Sequence, residues 1–204
     1  MLIGNSAFSA ELQKGVLAYK KKDYAAALQE FRPLAEQGNA VAQYNLGLMH
    51  LSGRGVKQDY KEAVKWFRLV ADKGNSAAQY KLGVMYGIGQ GVAKDNKQSL
   101  KWFLLSAEQG YADAQYNLGV IYGKGRGVPR DIEKAFKWFL LAAEQGDAAA
   151  QYNLGVMYAN GDGAPRRYTS ALMWWKLAAM QGHKSARKNR DVIERMMITA
   201  DIAS

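Results

Sequence analysis

Residues 39–74 read NAVAQYNLGLMHLSGRGVKQDYKEAVKWFRLVADKG, and the chain keeps returning to them. The pair Gln43-Tyr44 recurs at 79–80, 115–116 and 151–152, a spacing of 36 each time. Gly47 recurs at 83, 119 and 155, and Trp66 at 102, 138 and 174. Gly74 recurs at 110, 146 and 182, and stands also at 38. Markers held in one register define an internal repeat, in which each unit is one supersecondary element that stacks on its neighbours.

Each unit predicts two helices. Ala42, Leu46 and Met49 share one stripe, which places a first helix (helix A) from 39 to about 51. A second (helix B) runs from about 59 to 72, with Ala63, Trp66, Phe67, Val70 and Ala71 as its buried stripe at i, i+3, i+4, i+7, i+8. Asp23, Asp59, Asp95 and Asp131 stand where helix B needs an N-cap, since a carboxylate accepts from free backbone N–H groups and suits the positive end of the dipole. Arg167 replaces Asp in the last unit, so Thr169 or Ser170 is expected to cap there. The glycines at 74, 110, 146 and 182 end helix B in the left-handed conformation. Asn39, Asn75 and Asp147 follow such a Gly and cap the next helix A.

Gly47 costs helix A about 1 kcal/mol of propensity against Ala. A cost repeated at the same place needs a repeated reason, and close approach of helix A to helix B is the simplest. The A–B loops carry Gly53-Arg54-Gly55, Gly89-Gln90-Gly91, Gly125-Arg126-Gly127 and Gly161-Asp162-Gly163. With no strand before them and no Gly-Lys-Ser/Thr after, these are turns with positive φ rather than phosphate cradles.

Outward from the repeats, residues 11–38 form a shorter unit in which Ala27, Phe31 and Leu34 match Ala63, Phe67 and Val70. Units 39–74, 75–110, 111–146 and 147–182 follow. Residues 183–199 keep a helix A position but turn polar at Arg187-Lys188-Asn189-Arg190-Asp191, as a helix covering the last open core should. The expected fold is all-α, with about eleven helices in pairs plus a terminal cap. Within residues 1–10, Ser6-Ala7-Phe8-Ser9-Ala10 carries small residues at the spacing a signal peptidase accepts, so this segment is either an export-signal remnant or a loose terminus.

The chain has 204 residues, a formal net charge of +10 and no Cys. A disulfide framework, a thiolate metal site and a Cys nucleophile are thereby excluded. The positive balance steers acidic partners. The basic residues Lys184, Arg187, Lys188, Arg190 and Arg195 read as a solvated helix face, not a nucleic-acid site. No apolar run approaches the roughly 20 residues a membrane span needs.

The markers Ala42, Leu46-Gly47, Gly53-x-Gly55, Asp59, Ala63, Trp66-Phe67 and Ala71…Gly74 together resemble Sel1-like repeats, a branch of the tetratricopeptide superfamily. The resemblance covers residues 11 to about 199 as a single domain. It implies a right-handed α-α superhelix, a solenoid of antiparallel helix pairs whose inner, concave surface is lined by A helices. It also implies an adaptor for signalling, secretion or envelope assembly with no reaction of its own. Cysteine-rich secreted members are associated with penicillin binding, which leaves an envelope hydrolase or penicillin-binding protein as the alternative; the lack of Cys counts against it.

No catalytic constellation assembles from the residues. His50 and His183 are the two histidines; His50 replaces Tyr86, Tyr122 and Tyr158 and reads as a packing variant. Ser52 and Ser106 have no visible base, and Glu36, Glu108 and Glu144 recur once per repeat as scaffold features. Neither a cofactor nor a metal is expected. The inner face of helix A remains: Tyr44, Asn45 and Leu48; Tyr80, Lys81 and Val84; Tyr116, Asn117 and Val120; Tyr152, Asn153 and Val156. In the tetratricopeptide proteins that this chain resembles, the matching Asn hydrogen-bonds the backbone of a bound peptide; a side-chain amide offers both donor and acceptor to an extended chain. The expected partner is a protein or peptide of acidic character, bound by a monomer that is periplasmic or secreted; a cytoplasmic location is the alternative.

Overall fold

A computed structural model describes the backbone of residues 3–202 and the side chains of 10–197 and Thr199. Among the described residues there are eleven helices and no strand: α1 Ile3–Lys20, α2 Tyr24–Glu36, α3 Ala40–Ser52, α4 Tyr60–Ala71, α5 Ser76–Ile88, α6 Asn96–Glu108, α7 Ala112–Lys124, α8 Ile132–Glu144, α9 Ala148–Asn160, α10 Tyr168–Met180 and α11 Lys184–Ile202. The expected all-α repeat fold and its helix count are what the chain adopts. The export reading rests on Ser6-Ala7-Phe8-Ser9-Ala10, whose backbone belongs to α1; Met1, Leu2 and the side chains before Ala10 lie outside the described residues.

The chain divides into two compact units, the first ending in sequence at Trp102 and the second beginning at Phe103. In the first, α1 packs on α2, α2 on α3, α3 on α4 and α4 on α5. Its core holds one cluster around Phe31, Leu34, Leu46 and Met49 and another around Phe67, Val70, Leu82, Met85 and Trp102. In the second, α7 packs on α8, α8 on α9, α9 on α10 and α10 on α11. Its clusters centre on Phe139, Leu154 and Trp174, and on Trp175, Ala178, Ala186 and Ile193. Ala186 and Ile193 are how the otherwise polar α11 covers the final repeat.

Local chemistry sets the helix ends. Asp59 accepts from the N–H groups of Lys61 and Glu62 at 2.9 and 3.0 Å, and Asp131 from that of Lys134 at 2.9 Å. The bond from Glu62 N–H is the main cause that holds the Asp59 carboxyl below the usual carboxylate range, and the bond from Lys134 N–H does the same for Asp131. Asn39, Asn75 and Asp147 cap the A helices as expected. The last unit differs from expectation: α10 starts right after Arg167, which makes no side-chain cap bond, and Thr169 and Ser170 lie inside the helix. Gly74, Gly110, Gly146 and Gly182 have φ of +86 to +93°.

The helical glycines answer to the helix B aromatics. A Cβ at Gly47 would stand 2.7 Å from the Phe67 ring, and one at Gly119 2.6 Å from Phe139. The expectation that Trp66 belongs to the buried stripe of helix B needs correcting, and its repeats differ among themselves. Trp102 and Trp174 are buried, but Trp66 and Trp138 are half-buried.

The repeated Gln has a role its spacing did not disclose. Gln43, Gln79, Gln115 and Gln151 are all buried, and each donates its amide N–H to the carbonyl eight residues earlier: Ala35, Ala71, Ala107 and Ala143. That carbonyl sits in the last turn of helix B, where i+4 donors run out, and it also accepts from the N–H of the glycine three residues on. In the second unit the amide oxygen is also satisfied. Gln145 Nε2 donates to Gln115 Oε1 at 2.7 Å, and Gln181 Nε2 to Gln151 Oε1 at 3.0 Å. In the first unit the residue at the equivalent position is Lys73, whose ammonium donates to the Gly38 carbonyl at 3.2 Å; Gln43 Oε1 is buried with no hydrogen-bond partner among the described residues. Gln181 manages both bonds, reaching the Gly146 carbonyl as well at 2.9 Å. Lys73→Gln is therefore expected to raise stability by about 1 kcal/mol by supplying the missing donor. Urea denaturation checks it, and a midpoint that does not rise would mean that solvent already satisfies Gln43.

Candidate functional site

In the first unit α3 presents Tyr44, Asn45 and Leu48, and α5 presents Tyr80, Lys81 and Val84; all six are half-buried. The Tyr44 ring tilts against Phe67 with centroids 5.5 Å apart, and Leu48 packs on the same core. The Lys81 ammonium stands 5.6 Å from the centre of the Tyr80 ring. In the second unit α7 presents Tyr116, Asn117 and Val120, and α9 presents Tyr152, Asn153 and Val156, again half-buried. Tyr116 tilts against Phe139 at 5.8 Å, while Tyr152 stacks on His183 at 4.6 Å and an interplanar angle of 19°.

Tyr44, Tyr116 and Tyr152 thus use their rings for packing. The Asn side chains are partly committed as well. Asn45, Asn117 and Asn153 each donate one amide N–H to their own helix, to the carbonyls of Val41, Asp113 and Ala149 at 2.7–2.8 Å. This bond fixes the amide's orientation and leaves a carbonyl oxygen and a second N–H per side chain as the groups that could meet a partner backbone.

Three of these residues, Tyr116, Val120 and Asn153, line one cavity of about 230 Å³ in the second unit. Gly119 and Gly123 face it from α7, Phe139 and Ile132 from α8, and Met157 from α9; Lys124 and Asp162 complete the lining. Sequence reasoning missed this cavity. Its signal was the small residue at 123, where the first full repeat has Leu51.

The two histidines serve elsewhere. His183 stands one repeat after the cap Asp147, and its Nδ1 accepts from the Ala186 N–H at 3.2 Å, so it caps α11; the 36-residue register could have predicted this. His50 is half-buried, and its Nδ1 has no hydrogen-bond partner among the described residues. No group of three His, Asp or Glu side chains suited to a metal lies together among the described residues. No helix among them is long and apolar enough to cross a membrane.

Comparison with known proteins agrees with this architecture. The family model described as Sel1 repeat matches residues 40–75, 76–111, 112–147 and 148–183. A crystal structure of a protective antigen present in uropathogenic Escherichia coli strains, displaying an SLR fold, is 40% identical with a TM-score of 0.86, over 90% of this chain and 40% of that one. The present chain thus spans well under half the length of that relative. A Sel1 repeat protein from Oxalobacter formigenes is 35% identical with a TM-score of 0.82, over 88% of this chain and 73% of the other. A sel1 repeat protein from Klebsiella pneumoniae, 22% identical with a TM-score of 0.57 over 92% of this chain and 93% of the other, shares the fold. No curated protein matches the chain.

Proposed function

Since the chain belongs to the Sel1 repeat family, we propose that it is a non-enzymatic, monomeric scaffold that holds a partner peptide or protein on the exposed faces of its A helices. Sel1 repeats generally serve as protein-interaction scaffolds. The observation that carries the reading is the recurrence of half-buried, helix-anchored Asn45, Asn117 and Asn153, whose remaining amide groups recur at whole-repeat spacing. A pre-oriented amide can bond an extended backbone with little further loss of side-chain entropy. Lys81 takes the Asn position in its repeat and adds a positive charge, and the chain as a whole carries +10, so an acidic partner is favoured.

Capture from the envelope fraction of the source cell would supply the partner. Lys81→Glu is expected to weaken its affinity about fivefold, mainly by slowing association. Asn117→Ala is expected to act mainly by speeding dissociation, also by about fivefold, the size of one net hydrogen bond. Unchanged affinity in both variants, with melting temperature intact, would remove the A-helix faces as the binding site.

A periplasmic or secreted location belongs to the same reading. It is supported by Ser6-Ala7-Phe8-Ser9-Ala10 and by likeness to a protein described as a protective antigen. Mass spectrometry of the native protein checks it: an uncleaved chain recovered with the cytoplasm would overturn it.

A further inference from the structure

We infer that a row of four exposed side chains on α11, Lys184, Lys188, Val192 and Met196, docks an acidic, extended segment of the partner protein. Carboxylates of the segment meet the two lysines, and apolar residues of it cover Val192 and Met196. The inference rests on the scaffold reading and adds to it a contact outside the A helices α3, α5, α7 and α9.

The four residues follow one another at i+4, so they stand one above the next along one side of the helix, over about 18 Å. All four are exposed, Val192 by 65% and Met196 by 45%. That exposure departs from the repeat pattern. Val120 and Val156, 72 and 36 residues before Val192, pack on the clusters of Phe139 and Leu154 and of Trp175 and Ala178.

Charge selects what covers the row. Between Gly163 and Arg190 the chain has seven basic residues and no Asp or Glu. The two acids within 184–199 are already engaged. Asp191 accepts from Arg190 Nε and Nη2 at 2.8 and 2.6 Å, and Glu194 pairs with Lys176 at 2.8 Å. Lys184, Arg187, Lys188 and Arg195 are exposed and form no ion pair among the described residues. With both acids counted, four unpaired cations remain on the helix that carries Val192 and Met196, and their complement is a segment with carboxylates.

Asp191 decides the form of that segment. It stands in the register of Gly119 and Gly155, where a Cβ at 119 would lie 2.6 Å from the Phe139 ring of the helix packed there. A helix therefore cannot close on α11 as α8 closes on α7. An extended chain presents alternate side chains about 6.4–6.8 Å apart, close to the roughly 6 Å of a four-residue step along a helix. The matching pattern is acid-x-acid-x-apolar-x-apolar, in one chain direction or the other.

The probe is the acetylated, amidated peptide Glu-Ser-Glu-Ser-Val-Ser-Leu, together with its reversed sequence. Titrated into the full chain labelled at Met methyls, one of the two is expected to shift the Met196 resonance saturably. Met173 on α10, equally exposed at 47%, should stay in place. The isomer Glu-Glu-Ser-Ser-Ser-Val-Leu has the same composition without the alternation and should bind about threefold more weakly, as should the wild-type peptide to Val192→Ser. Lys184→Glu and Lys188→Glu should each weaken binding about fivefold, the upper range for one exposed ion pair, with the melting temperature unchanged. A Met196 resonance that stays silent with both peptides overturns the inference. So does equal binding of the isomer, or unchanged affinity in both lysine variants. A Met196 shift produced by phosphatidylglycerol vesicles or an oligoadenylate, but by neither peptide, would assign the row to another class of partner and overturn it too. Should Met196 stay silent while a captured partner remains sensitive to Asn117→Ala, the α11 row alone falls. A saturable shift that depends on the lysines and the alternation supports the row even where the two A-helix variants leave a partner's affinity unchanged, an outcome that removes only the A-helix faces.

Discussion

Trp102→Ala is expected to cost the protein about 3–5 kcal/mol in chemical denaturation, a large share of the roughly 5–15 kcal/mol by which ordinary domains are stable. The ring is 4% exposed and belongs to the cluster of Phe67, Val70, Leu82 and Met85. Truncation removes its transfer energy and leaves a cavity that helices fixed by their own backbone bonds cannot close. The Arg68 guanidinium and the Lys101 ammonium lie 5.7 and 5.6 Å from its ring, so cation–π contact is lost as well. No hydrogen bond goes with it, since Trp102 Nε1 has no partner among the described residues. Trp102→Phe should consequently lose much less than Trp102→Ala, since it keeps an aromatic ring and removes a buried, unpartnered N–H. Trp66→Ala is the internal control: half-buried, it should cost clearly less than Trp102→Ala. A loss at Trp102 below about 1 kcal/mol would place its ring at the surface and redraw the register of helix B.

The second large effect is a change of sign within one helix. Gly119 and Gly123 both lie in α7, one turn apart, and Ala at either gains up to about 1 kcal/mol of helix propensity. At 123 the new methyl meets the Ala135 Cβ at an ordinary 3.5 Å, so Gly123→Ala should stabilise. At 119 it would stand 2.6 Å from two atoms of the Phe139 ring, a distance no methyl tolerates. Phe139 is buried and packed against Tyr116, so either its ring shifts toward the neighbouring cavity and loses that packing or α7 moves off α8. Gly119→Ala should therefore destabilise by about 1–3 kcal/mol net of the propensity gain. Thermal melts of the two variants decide it. If both are stabilised alike, close approach is not why glycine stands at 119.

Much of this fold was legible because its determinants are local. A 36-residue register, stripes at i, i+3 and i+4, and caps such as Asp59 and Asn39 act within one or two turns, so they can be read without knowing what lies across the core. The glycine at 47 was legible for a related reason: it opposes helix propensity, and only a neighbour could justify it. Register also brings the Tyr, Asn and aliphatic residues of each A helix to the same half-buried positions, although the structure spends part of each Asn amide on its own helix and three of the tyrosine rings on packing.

What the tertiary structure decided were matters of long-range neighbourhood. Trp66 and Trp102 are the same letter in the same register, yet one is half-buried and the other buried, because exposure depends on what the neighbouring helices bring to the ring. Gln43 looked like one more repeated polar residue. Its bond runs to a carbonyl eight residues back, and whether its oxygen is satisfied depends on a residue 30 further on, Gln in later repeats and Lys73 here. The cavity beside Asn153 is bounded by Gly123 on α7 and Ile132 on α8, residues from two helices that are each unremarkable alone. Propensity, periodicity and capping are short-range and additive along the chain, so the sequence by itself determined the helices and their stacking order. Burial, hydrogen-bond satisfaction and empty volume arise between residues far apart in sequence, so only the packed structure could decide them.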